Sequence, residues 1–212
     1  MKWPLKPTVF DSNPFNWDWH EKDFFHSPDG TEEFPDHHCK QTWMVSLPFI
    51  MSKKNAIDVG CRDGEYARYI HKDFEHVYCF DYRQRKRFHM NVDLKKITHF
   101  KCALGDEHKI IKVSGAGSIT AQKIPLDRWY NEQLYTIDEF NFENIDYIKI
   151  DVDGYELPVL KGAIKTIEKY KPVLVLEQEF GETAALKFCI EKFQYKIGAW
   201  DPLHRNVVLV AY

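Results

Sequence analysis

Residue types and spacing in the segment 55–70 indicate a ligand-binding turn. Residues 56–59 are typical of a buried strand, Gly60 to Gly64 of a tight turn, and the residues that follow of a helix. A glycine turn between a strand and a helix lets a ligand approach the backbone, and unpaired N–H groups face that ligand. The Asp-x-Gly-x-x-x-Gly spacing differs from the G-x-G-x-x-G of dinucleotide enzymes. We therefore expect a cofactor site here, with a purely structural turn as the alternative.

Acidic residues stand at or near the ends of several predicted strands. Asp58 lies in the first strand, Asp81 ends the second, Asp151 ends the fourth and Glu177 ends the fifth. In an open parallel sheet, ligands bind outside the carboxyl ends of the strands. Asp81 follows Asp58 by 23 positions, and an acidic residue at such a distance beyond a glycine turn can accept hydrogen bonds from ribose hydroxyls. These residues predict one site at one edge of the sheet.

The predicted site is acidic near its centre, since Asp153, Glu156 and Glu179 follow the fourth and fifth strands closely. Negative charge suits a cofactor that is cationic at its reactive atom, as the sulfonium of S-adenosylmethionine is, and suits the pyrophosphate of NAD poorly. The small residues after the third strand, 102–106, leave room for an adenine ring against the backbone. The alternative is that acids such as Asp81 and Asp153 only cap helices.

The elements that must position these residues alternate between apolar strands and amphipathic helices, which is typical of a parallel α/β sheet. We predict strands at 56–59, 76–80, 98–102, 146–150, 173–176, 195–200 and 206–212, and a hairpin of 109–113 with 118–124. We predict helices at 40–50, after Gly64, after Asp81 with Arg83, Arg85, Lys86 and Arg87 on a solvated face, from Leu157 to Ile167, and at 182–193. The predicted fold class is α/β, with a Rossmann-like doubly wound, mostly parallel seven-stranded sheet and an antiparallel last strand.

The N-terminal segment differs from the rest of the chain. In residues 1–36, five prolines alternate with eight tryptophans and phenylalanines. Such a segment cannot form a long helix, and it is too aromatic for ordinary disorder. We expect it to cover apolar surface, with a role in walling a substrate pocket as the alternative. The predicted organisation is an aromatic N-terminal extension with a lead-in helix at 1–50, followed by one cofactor-binding domain at 51–212.

Composition limits the partners of the chain. The 212 residues carry a net charge of −3, which provides no general attraction to nucleic acid or to anionic membranes. The five cysteines lack any C-x-x-C spacing, which favours reduced thiols over a disulfide framework. The sequence shows neither a transmembrane run nor a signal-peptide pattern. We expect a cytoplasmic protein without a membrane partner, for which nucleic acid is disfavoured; the sequence leaves the oligomeric state open.

Several motifs resemble those of one known family. AIDVGCRDGEY, CFD, CALGD, GAGSIT, TIDEF, IDYIKIDVDGYELPVLKGA and KPVLVLE occur in this order between residues 55 and 177. They resemble the FkbM-type methyltransferases of the class I S-adenosylmethionine-dependent fold. The resemblance does not cover the first fifty residues. The chain differs from the usual family pattern by Arg62 in place of Asn and by Asp153 in place of Glu.

The resemblance implies that the domain at 51–212 transfers a methyl group from S-adenosylmethionine to a hydroxyl of a sugar, a glycan or another small molecule. It also implies that residues at different strand ends contact different parts of the cofactor. The residues that would contact or support it are Asp58, Gly60, Cys61, Arg62 and Gly64 at the methionine part, Asp81 at the ribose, Tyr82, Ala103 and Leu104 at the adenine, and Asp151 near the methyl group.

Methyl transfer is an in-line displacement, and a weakly acidic alcohol benefits from a general base or a metal. Asp151 is the first candidate for positioning the acceptor or taking its proton, Glu177 is the second, and His204 on the last loop is a further candidate base. The sequence does not decide whether a metal takes part. If Mg²⁺ is bound, Asp151 and Glu177 would be its oxygen ligands, together with Glu179.

Three other functions stay open at this point. An RNA ribose methyltransferase uses lysines beside its aspartate, and Lys149 precedes Asp151 by two positions; the absence of a basic excess disfavours this interpretation. An NAD-linked oxidoreductase of doubly wound fold would bind NAD preferentially. A non-catalytic S-adenosylmethionine-binding module would bind the cofactor without turnover, since one fold hosts many activities.

Overall fold

The structure is a computed structural model that describes residues 2–10, 24–27, 30–33, 38–83, 87–114, 129–178 and 184–211. The strands are β1 (Phe24–Ser27), β2 (Gly30–Glu33), β3 (Asn55–Val59), β4 (His76–Asp81), β5 (Ile97–Lys101), β6 (Ala103–Leu104), β7 (Lys109–Ser114), β8 (Trp129–Tyr135), β9 (Ile145–Ile150), β10 (Val173–Glu177), β11 (Lys196–Trp200) and β12 (Asn206–Val210). The helices are α1 (His38–Ser46), α2 (Ala67–Asp73), α3 (Phe88–Asn91), α4 (Glu156–Lys161), α5 (Ile164–Tyr170) and α6 (Ala184–Phe193), with 3₁₀ turns at Leu47–Phe49 and Ile137–Phe140.

Seven strands form the central sheet in the order β11-β12-β10-β9-β3-β4-β5. Strands β10, β9, β3, β4 and β5 pair in parallel, whereas β12 runs antiparallel to both β10 and β11. The strand order reverses between β3 and β9, which makes this the topological switch point where a ligand crevice forms. The predicted Rossmann-like, mostly parallel seven-stranded sheet with an antiparallel last strand is confirmed.

The central strands are buried because apolar side chains cover both faces of the sheet. Along β3, Ile57 and Val59 belong to the apolar cluster on one face, and Ala56 belongs to the cluster on the other. Every residue of β12 is buried as well. This two-sided burial explains why the strand segments read as nearly continuous apolar runs in the sequence.

The helix predicted from Leu157 to Ile167 is two helices. Helix α4 ends at Lys161 and α5 begins at Ile164, with Gly162 between them. A Cβ atom at Gly162 would lie 1.9 Å from the Gly105 carbonyl oxygen, and the Gly162 carbonyl accepts a hydrogen bond from the Asp138 amide at 3.0 Å. The close backbone approach accounts for a glycine at the break between the two helices.

The second strand of the hairpin is not the one that we predicted. Strand β7 pairs antiparallel with β8, from Lys109 opposite Leu134 to Ser114 opposite Trp129. The segment 118–124, which we expected to be the second arm, lies outside the described residues. Strand β6 adds to β8 in parallel, so that the three strands form a small separate sheet.

The predicted basic helix after β4 is shorter than expected. Helix α3 begins at Phe88, so Arg83 and Arg87 precede it, while residues 85 and 86 lie outside the described part of the chain. Arg83 instead stacks over Tyr82, with its guanidinium carbon 5.0 Å from the ring centroid. The solvated helix face predicted for these charges is therefore wrong for Arg83 and Arg87.

The described N-terminal residues 2–10 lie along the β5 edge of the sheet. The Thr8 amide donates to the His99 carbonyl at 2.7 Å, and the Trp3 ring meets Phe100 edge-on at 5.2 Å. Helix α1 then packs against α2 and the β11–β12 pair. In the described parts of this extension, apolar surface is covered as expected. Among the described residues, every helix is too short or too polar to cross a membrane.

Candidate functional site

A cavity of about 360 Å³ opens at the carboxyl ends of β3, β4, β9 and β10, where the switch point places it. This volume lies within the range of about 300–1,000 Å³ of small-molecule sites. Its walls carry more carboxylates than cations. The lining residues are His38, Val59, Gly60, Arg62, Glu65, Phe80, Asp81, Tyr82, Cys102, Ala103, Leu104, Asp151, Val152, Asp153, Glu177 and Arg205.

The predicted glycine turn forms the floor of this cavity. The amides of Gly60 and Cys61 both donate to the Phe80 carbonyl, at 2.9 and 3.1 Å, and the Gly64 amide donates to Cys61 at 2.7 Å. Gly60 and Gly64 have φ of +79° and +88°, a region that side chains rarely adopt. Arg62 also has a positive φ, of 46°. The turn is thus tied to the end of β4 and keeps its backbone close to the cavity.

Asp81 organises the same turn through both carboxylate oxygens. Its Oδ2 accepts from the Arg62 amide at 3.0 Å and its Oδ1 accepts from the Arg83 amide at 2.7 Å. Each carboxylate oxygen has a second lone pair, so the side chain can still accept hydrogen bonds from a ligand in the cavity. Asp81 therefore meets the geometric requirement for a ribose acceptor, and it also holds the loop that carries Arg62.

A buried lysine connects the first and fourth predicted strands. Lys149 faces Asp58 across the β3–β9 pairing, with its Nζ 3.4 Å from Asp58 Oδ1 and 3.3 Å from Asp151 Oδ2. It also donates to the Gly60 carbonyl at 3.4 Å. Burial lowers the pKa of Lys149, but the two carboxylates outweigh it and raise this pKa well above its ordinary value. Lys149 is thus a fixed cation that supports both the turn and Asp151.

Asp151 and Glu177 end adjacent strands, and their carboxyl groups lie within hydrogen-bonding range of each other. Burial and the neighbouring Asp151 charge raise the pKa of Glu177 to about 9. For Asp151, burial raises the pKa, but the Lys149 ammonium and the hydrogen bond from Glu177 outweigh it and lower this pKa below its ordinary value. At neutral pH, Asp151 is a carboxylate and Glu177 is a protonated donor.

The other acids after β9 have different environments. Glu156 accepts from the amides of Val152 and Gly154 at 3.1 and 3.2 Å, so its carboxylate closes the loop that follows Asp151. Asp153 is exposed, has a φ of 51° and lines the cavity. Only Asp153 of these two residues belongs to the cavity wall.

The walls beyond Asp81 are apolar and small. Tyr82, Ala103 and Leu104, all predicted beside an adenine, line the cavity together with Phe80 and Cys102. Phe80 is held by stacking on Phe100 at 5.0 Å. A mostly apolar wall with a few polar groups is typical of small-molecule sites.

Among the lining residues that were not predicted as site residues, His38 and Arg205 could take part in chemistry. His38 begins α1, and Arg205 lies in the loop before β12. Asp201 joins their elements, because it accepts from Thr42 Oγ1 at 3.0 Å and from the Arg205 amide at 2.8 Å. Burial lowers the pKa of His38, and the charge of Asp151 opposes this effect. In the sequence, His38 stands in the run His37-His38-Cys39, which is a weak signal for a functional residue, and no motif includes Arg205.

Four predicted residues do not line the cavity. Asp58 and Cys61 are buried beneath the turn, and Gly64 is buried against Val92, where an added Cβ would lie 3.0 Å from the valine side chain. His204 is exposed, and its ring lies 5.8 Å from that of Trp200. Asp58 and Cys61 therefore support the turn from below, and His204 stands next to the wall residue Arg205 rather than in the wall.

The predicted magnesium site receives no support from the described residues. Within the described ranges, no three His, Cys, Asp or Glu side chains converge as a metal centre would need. Asp151 and Glu177 do come together, but the third expected ligand, Glu179, lies outside the part of the chain that the structure describes.

Comparison with known proteins agrees with this geometry. A family model described as the methyltransferase FkbM domain matches residues 58–197, about two thirds of the chain. This range begins at the cavity-floor strand β3 and includes all predicted cofactor residues. No curated protein matches the chain at a significant level.

Two solved structures share the fold. One is a methyltransferase FkbM from Methylobacillus flagellatus KT, with a TM-score of 0.54 and 19% identity over 75% of this chain. This chain covers only 44% of that protein's length. The other is an rRNA methylase from Streptococcus thermophilus, with a TM-score of 0.51 and 13% identity; the match covers 82% of this chain and 97% of that one. At such identities the likeness shows the fold alone.

Proposed function

Because the chain belongs to the FkbM methyltransferase domain family, we propose that it is an O-methyltransferase, which transfers the methyl group of S-adenosylmethionine to a hydroxyl of a sugar, glycan or other small molecule. The observation that carries this proposal is the acidic cavity at the switch point, walled by the glycine turn, Asp81 and Asp151. The chain covers less than half of the matched FkbM protein, so the acceptor class is part of this proposal; it follows from the family resemblance of the sequence motifs and not from that relative.

The residues present fit S-adenosylmethionine. Asp81 would accept from the ribose hydroxyls, with Tyr82, Ala103 and Leu104 beside the adenine. The turn from Gly60 would hold the methionine part, supported by Asp58, Cys61 and Gly64, and the Arg62 guanidinium at its edge would suit the carboxylate of that part. Asp151 and the neighbouring acids make the inner end of the cavity favourable for a sulfonium. Bound there, the cofactor supplies a methyl group on a positively charged sulfur. A hydroxyl oxygen can attack this methyl group in line and displace the sulfur.

The chain's own groups must orient the acceptor and remove its proton. Asp151 is a carboxylate held by Lys149 and by the hydrogen bond from Glu177, so we assign it the positioning of the acceptor hydroxyl. Glu177 already carries a proton at neutral pH and donates rather than accepts. His38 lines the same cavity as a neutral imidazole at neutral pH, and we assign it the acceptance of the hydroxyl proton. His204, outside the wall, has no part in this assignment.

The domain division follows the same proposal. We propose that residues 51–212 form the methyltransferase domain and that 1–50 form an extension packed on it. The family match begins at residue 58, inside the proposed domain. Helix α1 of the extension carries His38 into the cavity wall, so the extension would complete the site.

RNA ribose methylation is the second candidate. Lys149 lies 3.3 Å from Asp151, which is the pairing that such an enzyme would need. However, Lys149 is buried and also bound by Asp58, and the net charge of −3 provides no surface excess for a phosphate backbone. We therefore rank a small-molecule or glycan hydroxyl first and keep an RNA oligonucleotide in the acceptor screen.

Calorimetric titration tests the cofactor. We expect S-adenosylmethionine to bind wild-type protein, NAD to bind weakly or not at all, and Asp81→Ala to weaken S-adenosylmethionine binding at least about tenfold, because two hydrogen bonds and the ribose acceptor are lost. Asp73→Ala is the matched control, since Asp73 pairs with Lys53 on the surface and should leave affinity unchanged. Failure of the wild-type protein to bind S-adenosylmethionine would contradict the proposed function.

A screen of monosaccharides, oligosaccharides, small hydroxylated compounds and RNA then tests the acceptor. Methyl transfer is detected as S-adenosylhomocysteine formation and as a mass gain on the acceptor, with and without Mg²⁺. Methylation of RNA but of no small hydroxyl would favour the second candidate. Binding without turnover on any acceptor would favour a non-catalytic module.

A further inference from the structure

The buried charge centre, defined as Asp58, Lys149, Asp151 and Glu177, contains more acidic than basic side chains. The Asp58 and Asp151 carboxyl groups lie on either side of the Lys149 ammonium, at 3.4 and 3.3 Å. Burial raises the pKa of Asp58, whereas the Lys149 ammonium opposes this rise; in the ion-paired form both carboxyl groups are ionised. The Lys149 side chain is 4% exposed and that of Asp58 is 0% exposed, so bulk ions cannot reach this ion pair. Two carboxylates against one ammonium leave one negative charge in excess.

Glu177 does not add to that excess. It lies within hydrogen-bonding range of Asp151, and a hydrogen bond between two carboxyl groups requires that one of them keep its proton. Lys149 stabilises the charge on Asp151, so the proton resides on Glu177. The buried charge centre therefore carries about one net negative charge at neutral pH.

That charge faces the cavity at one residue. The Asp151 side chain is 29% exposed, whereas Asp58 and Lys149 lie beneath it. The nearby wall residues Arg62 and Glu65 form an ion pair at 3.6 Å and largely balance each other. The wall also holds one further basic side chain, Arg205, and two further acids, Asp81 and Asp153, so its acidic side chains outnumber its basic ones. A cation in the inner end of the cavity would therefore meet an excess of negative charge.

We propose that the buried charge centre recognises the positive charge of the sulfonium itself, so that this protein binds S-adenosylmethionine more tightly than its neutral product S-adenosylhomocysteine. The inference rests on the proposed function, because it concerns the cofactor of that site. When the S–CH₃ bond breaks and the O–CH₃ bond forms, the sulfonium becomes a neutral thioether and loses its partner. The charge centre would then favour release of the product cofactor over its retention.

Calorimetry with three ligands tests this inference without an acceptor. S-adenosylmethionine, S-adenosylhomocysteine and sinefungin, which carries a protonated amine near the place of the methylsulfonium, are titrated into the full-length protein at neutral pH. We expect both cationic ligands to bind at least about tenfold more tightly than S-adenosylhomocysteine, since a unit charge near Asp151 in a poorly solvated site interacts strongly. Weak binding of sinefungin would mean that methyl-group shape, not charge, carries any preference.

Two variants separate the charged carboxylate from the protonated one. Without the Asp151 charge, which raises the pKa of Glu177, Glu177 can ionise in its place, so the excess charge is removed by Asp151→Asn combined with Glu177→Gln. In this double variant the preference for S-adenosylmethionine should fall to about onefold to threefold. Glu177→Gln replaces a neutral group by a neutral group and should retain most of the preference. Asp146→Asn is the control for the strand, because Asp146 is in the first half of β9 and accepts from Ser52 and the Lys54 amide.

The possible results of these titrations lead to different conclusions. Equal or tighter binding of S-adenosylhomocysteine by the wild type overturns the inference while the proposed cofactor stands. A preference that survives Asp151→Asn combined with Glu177→Gln, or that disappears in Glu177→Gln alone, also overturns it. If neither S-adenosylmethionine nor its product binds, the proposed function itself fails. Should the double variant not fold, the wild-type ratio and the sinefungin titration still decide.

Discussion

The backbone of Gly60 lies so close to that of Asp151 that a Cβ atom added at Gly60 would stand 1.8 Å from the Asp151 carbonyl oxygen. The two strands carrying these residues are neighbours, and the Asp151 amide donates to the Val59 carbonyl at 3.1 Å. The glycine in the turn is therefore needed for close approach of the two strand ends as well as for its positive φ. This contact sets the distance between the glycine turn and Asp151.

Gly60→Ala should damage both fold and site. The side chain would force the two strand ends apart and would add left-handed strain, so we expect a loss of at least about 3 kcal/mol in the free energy of unfolding and the loss of S-adenosylmethionine binding. Gly154→Ala is the matched control, because its φ is +91° but no atom lies within 4 Å of the added Cβ. It should cost only about 1–2 kcal/mol. Urea unfolding and calorimetry measure both, and similar losses in the two variants would contradict the contact argument.

Asp151→Asn should lower turnover far more than cofactor affinity. The amide keeps the size of the side chain but loses the charge that orients the acceptor hydroxyl, so turnover at saturating cofactor should fall about a hundredfold or more. The affinity for S-adenosylmethionine should fall by only about tenfold. The comparison uses steady-state rates on the acceptor found in the screen, with Asp146→Asn as control. Equal activity in Asp151→Asn would remove this residue from the mechanism.

The pH dependence of turnover should follow His38. Burial lowers the pKa of His38 from its ordinary 6.5, so the imidazole can accept a proton throughout neutral pH and becomes protonated only at lower pH. Turnover should therefore be level above pH 6.5 and fall as the pH drops through the lowered pKa. His38→Asn should remove most of the turnover together with this acid limb, while His108→Asn, at an exposed histidine paired with Glu139, should change neither. An acid limb that His38→Asn leaves unchanged would transfer the proton-accepting role to Asp151.

His99 should make the fold sensitive to acid. Burial lowers the pKa of His99 to about 4, below its ordinary 6.5, so between these values the unfolded chain binds a proton that the folded chain does not. The contribution of the neutral ring is complete above pH 6.5, and about 3 kcal/mol should be lost as the pH falls to about 4. Urea unfolding at several pH values measures this loss. His99→Phe should flatten the dependence in that range, whereas His108→Phe should not.

Trp3→Ala should destabilise the whole domain if the N-terminal extension covers its apolar surface. Trp3 packs on Phe100, Tyr78 and Phe142, with ring centroids at 5.2, 6.1 and 6.4 Å. Because the tryptophan is only partly buried, we expect a loss of about 1–3 kcal/mol in the free energy of unfolding. Val9→Ala in the same segment is the control, since Val9 is 83% exposed. An unchanged unfolding midpoint for Trp3→Ala would mean that the extension packs without stabilising the domain.

Local patterns in the sequence were sufficient to predict the architecture. Apolar strand runs, the glycine turn and the proline positions depend on residues close together in the chain, and the seven-stranded sheet follows from their order. The same rules place Asp81, Asp151 and Glu177 at one edge of the sheet, because the carboxyl ends of parallel strands meet there. These residues lie together because the topology alone brings the strand ends together.

The remaining features depend on contacts between distant segments. The break at Gly162 results from the approach of the Gly105 carbonyl, and β7 selects a partner beyond the expected arm. His38 and Arg205 enter the cavity wall because Asp201 joins the helix and the loop that carry them. None of these relations has a local periodicity or spacing from which it could be predicted.

By itself, the sequence determined the fold class, the cofactor turn and the acidic edge of the sheet, since these follow from local propensity and strand order. Only the tertiary structure decided the charge state of that edge. Lys149 reads as one polar residue in an apolar strand, and its position between Asp58 and Asp151 depends on the register of β9 against β3. Protonation depends on burial and on such neighbours, and burial exists only once the strands are packed.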